Sequence, residues 1–301
     1  MSETPAAEPP PKTSKARTLL HRSFSTVCLV GILVAAFSFS QEWLFGLLFT
    51  ILSIGALFEY FQLFAIQGFR RFRWQCYVVS AVYIIFLFAQ VWGYEATWLA
   101  QLDGLALGIL LILIIADRLR LELEGARTLD EVSAAIFGFV YCVMLFGFVP
   151  KLLLLDLADR NGNPSAVFYI IYLLAITKCT DIGAYLVGSL LGRHKMIPHV
   201  SPAKSWQGFA GAIGFAVGIS LILVFVMGDR IPLITPLQAI LIAVLLSLAA
   251  VLGDLCESII KRSLAVKDSG QLMPGIGGFL DLIDSIIFTA PLFYLYLMLL
   301  R

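Results

Sequence analysis

Apolar residues run along this chain in long blocks, each close to the roughly twenty residues that a helix needs to cross a hydrocarbon core. Short polar segments separate nine such blocks, near residues 24–40, 43–66, 76–93, 98–117, 132–155, 166–191, 208–228, 236–257 and 278–299. The pattern predicts an all-α, polytopic integral membrane protein with about nine transmembrane helices. If the N-terminus is cytosolic, the inward-facing polar segments hold 16 of the 21 basic residues, the outward-facing ones hold 4, and Lys178 lies within a span. That imbalance predicts an N-in, C-out orientation. Residues 1–23, rich in Pro, Ala, Ser and Lys, read as a disordered cytosolic tail. The first apolar block lacks a small-residue cleavage site and reads as a retained span. The chain then divides into N-terminal transmembrane helices, 24–165, and a C-terminal transmembrane region, 166–301, expected to carry the chemistry.

Composition excludes an ordinary soluble domain. The chain is 60% hydrophobic and 14% charged, with a mean hydropathy of +0.92, against ~25% charged in a typical soluble domain. A net charge of +1 gives no bulk attraction to nucleic acid. Cys28, Cys76, Cys142, Cys179 and Cys256 are scattered singly and read as free core thiols. The histidines form no metal cluster or triad: His21 lies in the tail, and His194 and His199 in an interfacial loop.

The chemistry gathers between residues 258 and 284, where cations, carboxylates and a glycine turn sit between two membrane-length apolar blocks. Lys261, Arg262 and Lys267 can hold phosphate oxygens, while Asp268, Asp281 and Asp284 offer hard oxygen ligands to a divalent ion. Together they suggest a nucleotide-and-magnesium site at the membrane surface. Helical spacing puts Asp254, Glu257 and Ser258 on one face, and Asp281 and Asp284 repeat it at the start of the last span. Carboxylates so grouped would repel unless a cation sat among them; pairing with Lys261, Arg262 and Lys267 is the plainer alternative. The glycines of Pro274-Gly275-Ile276-Gly277-Gly278 can bring backbone N–H groups to phosphate at a helix N-terminus, although alone such a run is an ordinary turn. Asp181 can serve a site or simply neutralise Lys178 one turn away. Glu59 reads as a structural or a site residue, Asp103 as a solvated interfacial carboxylate, and Gly211, Gly214 and Gly218 as packing positions.

Ser258, Lys261-Arg262, Lys267-Asp268, Pro274-Gly275-x-Gly277-Gly278 and Asp281-x-x-Asp284 follow one another at a spacing that resembles the phosphatidate cytidylyltransferases, also called CDP-diacylglycerol synthases. A second series, Asp181 to Tyr185, Gly192-Arg193-His194-Lys195 and Ser201-Pro202-Ala203-Lys204-Ser205-Trp206-Gln207-Gly208, is similar to that family as well. The motifs cover roughly residues 178–285. Departures are Ile276 for a usual His, Leu282 for a usual Arg, Gln207 for a usual Glu, and Met273 for a commoner Leu, Ile or Phe.

The resemblance implies a magnesium-dependent enzyme, with a second cation left open, that condenses CTP with phosphatidate to CDP-diacylglycerol and pyrophosphate. It implies Asp254, Asp281 and Asp284 as metal ligands, with Asp268 as a further group, and Lys261, Arg262 and Lys267 as the triphosphate clamp. Ser201 and Ser258 would donate to phosphate, Lys204 would pair with a phosphate, Asp181 would orient the basic groups or complete the metal shell, and Gly277 and Gly278 would face substrate. The compact chain and the lack of an organelle-targeting helix favour a bacterial plasma membrane, the split of basic residues puts the site on its cytosolic side, and a homodimer is left open. A CTP-dependent lipid kinase, an inactive relative of the same fold and a secondary transporter are the alternatives.

Overall fold

The computed structural model describes residues 42–69, 71–266, 270 and 278–301. The tail, the apolar block at 24–40, Lys267, Asp268, Ile276 and Gly277 lie outside the described residues. Among those described, eight helices are long and apolar enough to cross a membrane. The chain is an all-α polytopic membrane protein, and the eight correspond to the expected blocks from the second onward.

The helices are α1 (Glu42–Ala65), α2 (Arg73–Val91), α3 (Leu102–Arg118), α4 (Ala126–Phe139), the short α5 (Phe148–Lys151), α6 (Ala166–Leu191), α7 (Trp206–Met227), α8 (Pro236–Ser263) and α9 (Phe279–Leu300). A π-helical turn at Val140–Leu145 carries α4 toward α5, so α4 to Leu154 makes one membrane-length unit. Helices suit this setting because lipid offers no partner to a free backbone N–H or C=O. Their ends are set locally. At the start of α8, Thr235 and Gln238 exchange side-chain and backbone hydrogen bonds, with Pro236 in the first turn. The Ser205 hydroxyl accepts the Gly208 N–H at the start of α7.

Close approach replaces the hydrophobic effect as the packing device. A β-carbon on Gly183 would stand 2.7 Å from the Gly211 carbonyl, and one on Gly211 would stand 2.4 Å from Val187, so α6 and α7 meet along glycine. Gly214 and Gly218 behave differently from the packing expected of them, for neither has a neighbour within 4 Å of its β-position. At Gly253 a β-carbon would lie 2.4 Å from the Asp284 carbonyl, which makes it the close crossing of α8 and α9. In the N-terminal helices Phe49 stacks on Phe146 with ring centroids 4.8 Å apart.

Polar contacts sort the connections into two ends. At one end Gln67 donates to the Ser263 carbonyl, Arg262 to the Val200 carbonyl, and Lys204 pairs with Asp254. At the other, Arg160 pairs with Asp229, Arg230 with Asp159, and Arg301 with Asp156. One expectation changes and one is extended. The interfacial loop after α6 is an antiparallel hairpin, β1 (Lys195–Ile197) with β2 (Ser201–Ser205). Asp103, expected as a solvated carboxylate, keeps 42% of its side chain exposed and also accepts from buried Lys151 at 2.7 Å and from the Tyr83 hydroxyl at 2.8 Å. The Lys151 ammonium also lies 4.3 Å from the centre of the Phe148 ring, so the carboxylate and the aromatic face stand in for water around the buried lysine.

Candidate active site

The expected site residues within the described region converge on one end of α6, α8 and α9 and on the hairpin between α6 and α7. Asp254, Glu257 and Asp284 can place one carboxylate oxygen each within 4.8 Å of one another. Asp254 and Glu257 share a face of α8 at a three-residue spacing, and the crossing at Gly253 sets α9 against that face. Glu257 and Asp284 are buried, at 2% and 7% exposure, and the Glu257 Oε1 has no hydrogen-bond partner among the described residues. A buried carboxylate oxygen left unpaired within a group of three fits a hard divalent cation better than it fits a protein core.

Asp281, expected in that group, is differently engaged. Its Oδ1 accepts from the Lys261 ammonium at 2.8 Å and its Oδ2 from the Gly278 N–H at 3.0 Å. Lys261 also donates to the Glu257 Oε2 at 2.8 Å, so one ammonium bridges α8 and α9. The spacing of Asp281 and Asp284 made both plausible ligands; the difference arises because Lys261, two turns along α8 from Asp254, reaches Asp281 first. Part of the plainer pairing reading is therefore present, since Lys261 pairs with Asp281 and with Glu257, one of the group of three.

The surrounding groups are held in place by protein contacts. Lys204, from β2, pairs with Asp254 at 3.0 Å. Lys178, 8% exposed within α6, donates to the Leu282 carbonyl at 2.9 Å and lies 3.6 Å from Asp181. Asp181 in turn accepts from the Ser285 hydroxyl at 3.1 Å. Arg262 is exposed and reaches the Val200 and Val266 carbonyls at 3.4 Å. Ser201 and Ser258 are half-buried on β2 and α8, and Gly278 precedes the first residue of α9.

Gln207 acts on the hairpin. Its side-chain oxygen accepts the Arg193 and His194 N–H groups at 3.2 Å, and its amide nitrogen lies 2.7 Å from the His194 Nδ1. Accepting two backbone donors needs an oxygen but no net charge, which accounts for an amide here. The cation at Lys178 was legible as an intramembrane charge, but its reach to α9 was not, because that contact joins helices far apart in sequence.

The cytidylyltransferase family matches this sequence over residues 20–300, and the chain belongs to that family. It is 33% identical over 264 residues to the uncharacterized protein YnbB of Escherichia coli (strain K12), covering 85% of this chain and 84% of that protein. It is 35% identical over 204 residues to the phosphatidate cytidylyltransferase of Bacillus subtilis (strain 168), covering 68% and 71% respectively. The phosphatidate cytidylyltransferase of Mycobacterium leprae (strain TN) is 28% identical over 274 residues, or 86% of this chain and 81% of that protein.

Proposed function

We propose that this protein is a phosphatidate cytidylyltransferase that transfers CMP from CTP to phosphatidate. The observation that carries the reading is the buried group Asp254, Glu257 and Asp284 set beside Lys204 and Lys261, in a membrane chain of the cytidylyltransferase family. Asp254, Glu257 and Asp284 are the residues placed to hold magnesium, and Asp281 serves the site through Lys261. Bound there, magnesium would neutralise charge on the triphosphate and on the departing pyrophosphate.

The chain's own residues have the remaining work of binding and orienting two anions. A phosphatidate phosphate oxygen attacks the α-phosphorus of CTP; that P–O bond forms as the bond to the β-phosphate's bridging oxygen breaks, and pyrophosphate leaves with the electron pair. Such a transfer depends on alignment and charge stabilisation, with no covalent enzyme intermediate required. Lys261, held between Glu257 and Asp281, and Lys204, held by Asp254, present fixed ammonium groups to phosphate oxygens. Arg262, exposed at the end of α8, is available to water-borne triphosphate, and Ser201 and Ser258 supply hydroxyl donors. Lys267, Asp268 and Gly277 retain the roles of clamp, orienting carboxylate and phosphate-facing backbone.

The basic residues of the segments at this end support a site facing the cytosol at a bacterial plasma membrane, where CTP would arrive from water and phosphatidate from the leaflet. Purified protein given labelled CTP, phosphatidate and magnesium is expected to yield lipid-linked CMP and pyrophosphate. Release of CDP with lipid phosphate would make it a kinase instead, and absence of turnover would overturn the enzyme reading.

A further inference from the structure

Glu59 lies on α1, far in sequence from the acidic group, and is 1% exposed. Its Oε2 accepts the Leu280 N–H at 2.9 Å. That N–H belongs to the first turn of α9, where backbone donors have no partner within the helix. Its Oε1 has no hydrogen-bond partner among the described residues and sits 2.7 Å from where a β-carbon on Gly270 would stand. One turn earlier on α1, Gly55 leaves room for the Phe279 ring, which a β-carbon there would meet at 2.7 Å.

Thus α1 grips the first two residues of α9, Phe279 over Gly55 and Leu280 on Glu59. A carboxylate in apolar surroundings is costly, and packing alone would be served as well by an uncharged side chain. A helix N-terminus, however, is where an anion is best accommodated. Asp281, which carries Lys261, follows Leu280 directly, and Asp284 of the acidic group lies one turn further. Any shift of this first turn moves both.

We infer that Glu59 is a positioning residue for the acidic group: by accepting the Leu280 N–H it fixes the first turn of α9, and so the placing of Asp281 on Lys261 and of Asp284 beside Asp254 and Glu257. The inference rests on the cytidylyltransferase reading and extends it into the N-terminal helices.

The test compares full-length wild type with Glu59→Gln, Glu59→Ala and Gly270→Ala. Glutamine keeps an oxygen for the Leu280 N–H in nearly the same volume, and alanine does not. Glu59→Gln is expected to keep kcat within about threefold of wild type, whereas Glu59→Ala loses roughly 30-fold in kcat with the KM for CTP nearly unchanged. Manganese binding without substrates, read by electron paramagnetic resonance, is expected to weaken about tenfold in Glu59→Ala, on the scale of changes to groups that orient metal ligands. A residue that only stabilises the fold would leave that midpoint alone. Gly270→Ala, which crowds the carboxylate, should reproduce part of the loss, and it carries the test with Glu59→Gln if the alanine variant does not fold. Wild-type kcat and manganese midpoints in Glu59→Ala, or in Gly270→Ala where that variant carries the test, or a glutamine variant as impaired as alanine, would overturn the inference. If wild type makes no lipid-linked CMP, the functional reading fails, while the manganese comparison still decides the positioning role.

Discussion

Replacing Glu257 by Gln and Asp281 by Asn, one at a time, tests whether the proposed metal is held by Asp254, Glu257 and Asp284 or depends on Asp281, since both replaced carboxylates contact Lys261. In Asp254, Glu257 and Asp284 the oxygens lie within 4.8 Å, and each pair of charges at that separation repels by about 3.5 kcal/mol at an effective dielectric of 20. Glu257→Gln relieves two such pairs, about 7 kcal/mol. It also forfeits the contact with Lys261 at 2.8 Å, on the order of 6 kcal/mol by the same formula. These nearly cancel, so the metal-free protein should unfold close to the wild-type temperature. Magnesium affinity, which has nothing to offset the lost charge, should fall by more than tenfold, or above 1.4 kcal/mol. Asp281→Asn behaves oppositely. It leaves the three charges of the group in place, and the one oxygen that Asn keeps can serve Lys261 or the Gly278 N–H but not both, without the charge that Lys261 faced. Its side chain is 30% exposed, so the cost is set about 1–3 kcal/mol, below that of breaking a fully buried pair. The assays are thermal unfolding in detergent without divalent ions and the half-saturating magnesium concentration for turnover. If Asp281→Asn raised the magnesium midpoint while Glu257→Gln left it unchanged, the ligands would be Asp254, Asp281 and Asp284, and the geometric assignment would be refuted.

Orientation can be read with a single cysteine at exposed Ala203 in a cysteine-free background: it should resist impermeant label added to intact cells, and ready labelling would invert the topology. The natural sequence should turn over CTP, because Lys178 already brings a cation to the Leu282 carbonyl. Ile276→His with Leu282→Arg should therefore gain less than about tenfold, or 1.4 kcal/mol in the barrier, and activity confined to the restored pair would make this an inactive relative. Asp159, in the segment between α5 and α6, is held below its ordinary range chiefly by the Asn163 N–H, then by the Asn163 side chain, the Asn161 N–H and Arg230. Its stabilising effect is present above the unfolded carboxyl's ~3.9 and is lost as pH falls through the lower folded value; Asp159→Asn should flatten that acid limb of the unfolding temperature, and an unchanged limb would reject the assignment.

The spans were legible because lipid constrains both composition and backbone hydrogen bonding, so apolar length and helix coincide. Their polar ends were less so. The block at 236–257 stops before Lys261 and Arg262, yet α8 runs on to Ser263 because charged residues in a last turn favour the helix they end. The β-hairpin was illegible: Ser-Pro-Ala-Lys-Ser has little strand character, and Gln207 of the following helix ties down its approach. Within the site, i,i+3 spacing put Asp254 on one face with Glu257, as the structure does, and gave no means of telling that Asp284, and not Asp281, comes within 4.8 Å of both. That choice depends on where Lys261 reaches across to α9, a matter of helix crossing that local spacing cannot express.

The crossing itself bears on how the site withstands a fluctuating bilayer. Where α8 and α9 touch at Gly253, they can scissor with least displacement near the contact. Asp254 adjoins that pivot on α8 and Asp284 supplies its other side. Glu257 lies about 6 Å along the helix and Lys261 about 12 Å, at 1.5 Å rise per residue. A 10° change in crossing angle would then move Glu257 by ~1 Å and Lys261 by ~2 Å, while Asp254 and Asp284 kept their separation. Changes in bilayer thickness or lateral pressure that tilt these helices would thus fall on the cation-bearing end, leaving the carboxylates at the pivot a constant distance apart.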